Sequence, residues 1–100
     1  MCGATSVEDL STEGIDIGNS TVIQGRVLRG GEPVGGAYVR LLDAGGEFTA
    51  EVVTSPSGAY RFFARPGAWT LRVLASGGAA TDAAVAATKG EVNSVDISLN

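Results

Sequence analysis

The chain has 100 residues, 44% hydrophobic and 18% charged, which sets it among globular proteins with one modest core and leaves no room for a second domain. Its formal charge of −4 arises from Glu8, Asp9, Glu13 and Asp16 in the first twenty residues, because the rest carries seven acids and seven bases. Such a neutral body has no basic stripe, which excludes nucleic acid and anionic membrane surfaces as expected partners. The start, MCGATSVEDL, is no secretory signal, no run nears the roughly 20 apolar residues of a membrane span, and a lone cysteine fits a reducing compartment, so the chain reads as cytoplasmic.

Residues 1–20 hold no steady period of two or 3.6, and they read as a mobile acidic arm with Ile15 and Ile17 touching the body. Residues 21–100 read as the folded domain. Its first strand, TVIQGRVL, puts Ile23, Gly25 and Val27 on one face, with Gln24 and Arg26 pointing away. A neighbour packing close to Gly25 would explain a glycine inside a strand. The turn-rich stretch Gly30 to Gly36 follows, with Val34 as a plug at the core edge.

The next strand turns Ala37, Val39 and Leu41 inward and Tyr38, Arg40 and Leu42 outward, and Gly45-Gly46 closes a hairpin into a third strand, Glu47 to Thr54. Ala50 and Val52 are the inward choices there, although Phe48 and Val53 fall on opposite faces. Ser55-Pro56-Ser57-Gly58 is a turn, since proline presets φ and glycine tolerates its positive range. It leads into the strand Ala59 to Phe63, with Tyr60 and Phe62 inward. After Pro66-Gly67, Trp69, Leu71 and Val73 share a face and supply the core's largest side chains.

Ala79 to Lys89 suits two readings: an alanine-rich helix capped by Thr81 and ended by Gly90, or a strand. The strand is preferred, because an isolated helix of that length is marginal and the final run Val95, Ile97, Leu99 needs a sheet partner. Seven short strands then form an all-β, antiparallel Greek-key sandwich.

The residues GRV, PVGGAYVRL, PSGAYRF and PGAWTLRV resemble the carboxypeptidase-regulatory-like, or transthyretin-like (prealbumin-like), β-sandwich family. With MCG, TVIQGRV, VGGAYVRLLD, EFTAEVV and RFFARPGAWTLR, nearly the whole chain is also similar to the SseC-like family of small actinobacterial proteins. Members of that family are uncharacterised in activity. The resemblance implies a role near sulfur transfer, with a thiosulfate sulfurtransferase as protein partner.

Cys2 is the first candidate site residue. Removal of Met1 would leave an N-terminal cysteine whose ammonium favours thiolate while Glu8 and Asp9 oppose it, giving a reactive thiol able to take sulfane sulfur by exchange. The plain alternative is an incidental second residue. Arg26, Arg40, Arg61 and Arg72 all take the outward parity of their strands, so they either hold an anion or acidic partner beside Tyr38 or Thr70, or form a solvated face paired with Glu47, Glu51 or Asp96. Outward Leu42, Phe63 and Leu74 suit a partner surface or a homo-oligomer.

Histidine is absent, which removes Ser-His and Cys-His catalysis, imidazole metal sites and the histidine chemistry of transthyretin-like hydrolases. No cofactor is expected, and the carboxylates Asp43, Glu47 and Glu51 are spread over a hairpin and not gathered for a metal. Sandwich modules with a self-formed Lys–Asn isopeptide carry the lysine on the first strand, whereas Lys89 is the only lysine here. Trp69 is inward, so it reads as core and not as a sugar platform. The expected function is a non-enzymatic accessory protein relaying sulfur on Cys2, or an adaptor in which Cys2 has no role.

Overall fold

The computed structural model describes residue 10 and residues 14–99. The expectations for Cys2, Glu8, Asp9 and Glu13 lie outside the described residues. Two sheets pack face to face, and among the described residues nine strands run in the order β1 (Val22–Arg29), β2 (Glu32–Pro33), β3 (Tyr38–Leu42), β4 (Phe48–Val53), β5 (Ala59–Phe63), β6 (Gly67–Leu74), β7 (Ala80–Ala87), β8 (Val92–Ser94) and β9 (Ile97–Leu99). One sheet has the order β4-β3-β6-β7, and the other is built around β1, with β5 and β2 along one edge and β8 and β9 along the other.

The period-two reading of the core holds on nearly every strand. Ile23 and Val27 of β1, Val39 and Leu41 of β3, Tyr60 and Phe62 of β5, and Trp69, Leu71 and Val73 of β6 are buried between the sheets. Val34 packs against this core as the expected plug, and its N–H donates to the Val27 carbonyl at 2.9 Å. Inside the core the Tyr60 and Phe62 rings lie 6.1 Å apart and tilted at 55°. The Trp69 indole N–H donates to the Arg65 carbonyl at 2.8 Å, which ties the start of β6 to the turn before it.

The alanine-rich segment is a strand, β7, paired antiparallel with β6 over its full length. The final run pairs elsewhere. β8 and β9 lie parallel to β1, so the expected all-antiparallel pairing fails at this one edge. The two segments keep one register on β1, as Val22 faces Val92 and Val27 faces Ile97. Counting them as one interrupted strand, and β2 as a turn, recovers the seven strands of the sequence reading.

The interruption has a local cause. The Val95 carbonyl is turned towards the core, where it accepts the Tyr60 hydroxyl, and the Asp96 carboxylate accepts the Arg26 backbone N–H at 3.0 Å in place of a ladder carbonyl. Gly25 makes this possible, since a Cβ there would collide with the Val95 carbonyl.

Two further departures from simple parity matter. β3 and β4 slip register between Leu41, opposite Ala50, and Leu42, opposite Phe48, so Thr49 is an extra residue in a bulge. Phe48 therefore lies on the outer face, opposite in sense to Ala50 and Val52, and Leu42 beside it is buried and not exposed. Gln24 is also buried at 6% exposure although it points away from the core. Its amide donates to the Leu10 carbonyl at 3.1 Å and its oxygen accepts from Arg61 Nε at 2.7 Å.

Candidate partner-binding face

The outer face of the four-stranded sheet is read directly from its register. Cross-strand rows stack Val53, Tyr38, Leu74 and Ala80 at one end, then Glu51, Arg40, Arg72 and Asp82, then Phe48, Leu42, Thr70 and Ala84. Two apolar rows thus flank one charged row. Tyr38, Phe48 and Val53 are 49%, 62% and 53% exposed. The turn that fixes the β3–β4 hairpin is held by Asp43, whose Oδ1 accepts from the N–H groups of Gly45 and Glu47 at 2.9 and 3.0 Å.

Charges in the middle row are ordered acid, base, base, acid. Arg40 Nε meets Glu51 Oε2 at 2.8 Å, and Arg72 grips Asp82 with Nε at 2.9 Å and a terminal amino group at 3.0 Å. The hydrogen bond from Arg72, with its charge, holds the Asp82 carboxyl below the ordinary carboxylate range, and Asp82 in turn raises the Arg72 guanidinium. Both pairs are exposed, so they order the side chains more than they stabilise the fold. The Arg40–Glu51 pairing follows the solvated-face expectation, while Asp82 is a partner the sequence reading did not name.

The four arginines do not share one surface. Arg40 and Arg72 are directly opposite each other on the four-stranded sheet, beside Tyr38 and Thr70 as the parity suggests. Arg26 and Arg61 lie on β1 and β5, on the outer face of the other sheet, where Arg61 is tied to Gln24. Phe63 is there too, at the end of β5 and 62% exposed, apart from the other exposed apolar residues. Asp96 Oδ1 accepts from the Arg26 backbone N–H.

Below the Phe48 row the sheet falls away into a shallow depression of about 340 Å³, lined by Ala44, Ala68, Thr70, Ala84 and Ala86 among others. Sequence reasoning missed both this hollow and Phe48. The signal for the hollow was present as Ala68 of β6 and Ala84 and Ala86 of β7, but it acquires meaning only once those strands are neighbours. Among the described residues no group of three or more His, Cys, Asp or Glu is placed to hold a metal ion. No helix among them is long and apolar enough to cross a membrane.

Comparison with known proteins gives the family and the fold. Residues 2–99 match the model of a family described as "Protein of unknown function (DUF1416)". An uncharacterised protein of Mycolicibacterium smegmatis is 53% identical over 85 residues, which span 84% of this chain and 93% of that protein. Two uncharacterised proteins of Mycobacterium tuberculosis are each 51% identical over 86 residues, spanning 85% of either chain. Among solved structures, the fold is similar to the major pilin subunit BcpA of Bacillus cereus, with a TM-score of 0.64 and 13% identity, over 82% of this chain and 30% of the pilin. It is equally similar to the dioxygenase domain of a carbohydrate-binding fusion protein from Streptomyces sp. SirexAA-E, with a TM-score of 0.64 and 12% identity over 86% of this chain and 83% of that one. At such identities the likeness is one of fold alone. The chain belongs to the DUF1416 family.

Proposed function

We propose that this chain is a non-enzymatic accessory protein that receives a protein partner on the outer face of its four-stranded sheet. One observation carries the reading: of the four large apolar side chains exposed among the described residues, Tyr38, Phe48 and Val53 share that face, and Phe63 alone lies elsewhere. Single exposed apolar residues are ordinary, but three gathered in two rows on either side of paired charges form a surface with apolar flanks and a polar centre. The bulge at Thr49 turns a phenylalanine outward that plain alternation would bury.

The partner class comes from the SseC-like resemblance, which points to a thiosulfate sulfurtransferase and makes Cys2 the sulfur acceptor. The family match begins at residue 2, so Cys2 falls inside it. In the transfer the Cys2 thiolate attacks the outer sulfur of the enzyme's cysteine persulfide. A new S–S bond forms on Cys2, the enzyme's S–S bond breaks, and the enzyme leaves as thiolate. In the second reading the sandwich is an adaptor and Cys2 takes no part.

The experiment combines binding with intact mass. The ¹⁵N-labelled chain is titrated with a thiosulfate sulfurtransferase, and resonances of β3, β4 and β6 are expected to shift, with Phe48→Ser weakening binding about tenfold and Phe63→Ser leaving it unchanged. Thiosulfate is then added. Gain of one sulfur, lost on reduction and absent in Cys2→Ser, supports the relay; a loaded enzyme beside an unmodified chain supports the adaptor. Binding that ignores Phe48 and follows Phe63 overturns the choice of face.

A further inference from the structure

We infer that the outer edge of β7 pairs antiparallel with β7 of a second copy of this chain, joining two four-stranded sheets into one across a two-fold axis. The inference goes beyond the docking reading above, which uses the face of that sheet and not its edge. β7 runs eight residues and bonds to β6 on one side, and among the described residues no strand takes the other side. The hairpin before it fixes which backbone groups face outward. The Ala75 N–H donates to the Ala79 carbonyl at 2.9 Å, and antiparallel ladders alternate, so Thr81, Ala83, Val85 and Ala87 turn their backbone groups to β6. Ala80, Asp82, Ala84 and Ala86 turn theirs outward. Such an unbroken row of donors and acceptors selects an extended strand as its occupant.

The other edges of the sandwich are blunted. On β4 the bulge at Thr49 interrupts the row and Glu51 charges it. On β5 the Ser55 residue already occupies Ala59 from the outer side, since its Oγ accepts the Ala59 N–H and its own N–H donates to the Ala59 carbonyl, both at 3.1 Å. β8 and β9 are three residues each, parted by the break at Val95. By contrast β7 carries no proline, no lysine and no bulge, and Arg72 neutralises Asp82, its one charge. Proteins guard exposed edges with these devices, so an edge that lacks them all is open to another strand.

The pattern of β7 is complementary to itself. A two-fold axis through Ala84 sets that residue against its own image and Asp82 against Ala86 of the second copy, with about six hydrogen bonds between the outward groups. Ala83, which packs against the core, then faces Val85 of the second copy, small against large. In this register the two Asp82 carboxylates stand four residues apart along the strands, about 14 Å, well beyond a Debye length of about 8 Å. An axis through Ala83 would bring them to about 8 Å as diagonal neighbours. Charge spacing therefore selects the Ala84 register, and alanines beside the axis let the two backbones meet.

The test is sedimentation of the full chain from about 1 to about 300 µM, read beside amide exchange. At the upper end a species of about twice the 10.1 kDa chain is expected, and the amides of Ala80, Asp82, Ala84 and Ala86 should exchange quickly when dilute and slowly when concentrated. Ala84→Pro removes an N–H that β6 does not use, and Ala84→Lys sets two cations together on the axis. Each should weaken the dimer at least about tenfold while spectral dispersion shows the fold intact. Ala84→Glu alone should do the same, yet an equimolar mixture of Ala84→Lys and Ala84→Glu should dimerise again, because opposite charges then meet. A monomer at every concentration overturns the inference, including one whose edge amides are always protected, the result expected if the chain's own first residues lie along β7. A dimer indifferent to all three Ala84 variants, or a mixture that stays monomeric, overturns it as well. Sulfurtransferase docking is read by its own titration on the sheet face, so its failure and this one are told apart.

Discussion

The Thr54 hydroxyl, buried just past β4, accepts the Ala37 N–H at 2.9 Å and donates to the Val34 carbonyl at 2.7 Å. Its own backbone joins the same clasp, since the Thr54 N–H donates to the Ala37 carbonyl at 2.8 Å. One side chain thus anchors the loop that carries the Val34 plug. Thr54→Val keeps the shape and removes the hydroxyl, leaving a buried amide at Ala37 without that acceptor. A loss of about 1–3 kcal/mol is expected, seen as a lower urea midpoint at unchanged m-value, and Thr54→Ser should restore most of it. Nothing in the sequence marked this residue except its place at a strand end, because its partners are 17 and 20 residues away. Gln24 shows the same limit: its parity correctly says that it points away from the core, but not that Leu10 and Arg61 bind it there.

Strands were legible where two local signals agreed. Alternation named the inward residues of β1, β3, β5 and β6, and turn chemistry fixed their ends, as at Gly58, whose φ of +79° and N–H to the Ser55 carbonyl close the Pro56 turn. What alternation cannot carry is a change of phase. The Thr49 bulge shifts β4 by one residue and sends Phe48 outward, and no residue type at that position announces it. Parallel pairing of β8 and β9 was hidden too, because the sequence offers Val95 as one of three alternating apolar residues while its carbonyl breaks the ladder to meet Tyr60. Gly25 was the one visible trace of that break. Gly25→Ala should therefore act on a single element: the added methyl pushes Val95 away, at a cost of at least about 1–3 kcal/mol. Amide exchange should accelerate across β8 and β9 while β3 and β6 keep their protection; uniform acceleration would mean that the break is not held at Gly25.

For the molecule as a whole, the candidate face was half legible: Arg40 and Arg72 of its charged row had the right parity and Glu51 was named as a partner, but Asp82 was not, and only the strand order β4-β3-β6-β7 shows that Arg40 and Arg72 are cross-strand neighbours while Arg26 and Arg61 lie on the other sheet. In the other sheet, Tyr60 of β5 links stability to alkaline pH. Its ring is fully buried, and its hydroxyl holds the Val95 carbonyl and with it the parallel edge of the five-stranded sheet. Burial first, and the Asp96 charge second, push this phenol far above the ordinary tyrosine value of 10.0. An unfolded chain would release the proton near pH 10 while the folded chain keeps it, so the folded state binds more protons in that interval. The contribution of Tyr60 is then fully present below about pH 10 and is lost as pH rises towards the folded value, at no more than about 1.4 kcal/mol per pH unit. Urea midpoints measured from pH 8 to pH 11.5 should stay level as far as this group is concerned and then fall above about pH 10. Tyr60→Phe should begin less stable, because the Val95 carbonyl loses its donor, yet show a shallower alkaline decline, since no phenol remains to ionise on unfolding. Parallel curves for the two proteins would mean that the alkaline loss comes from other groups and that the Tyr60 hydroxyl is not held protonated by the fold.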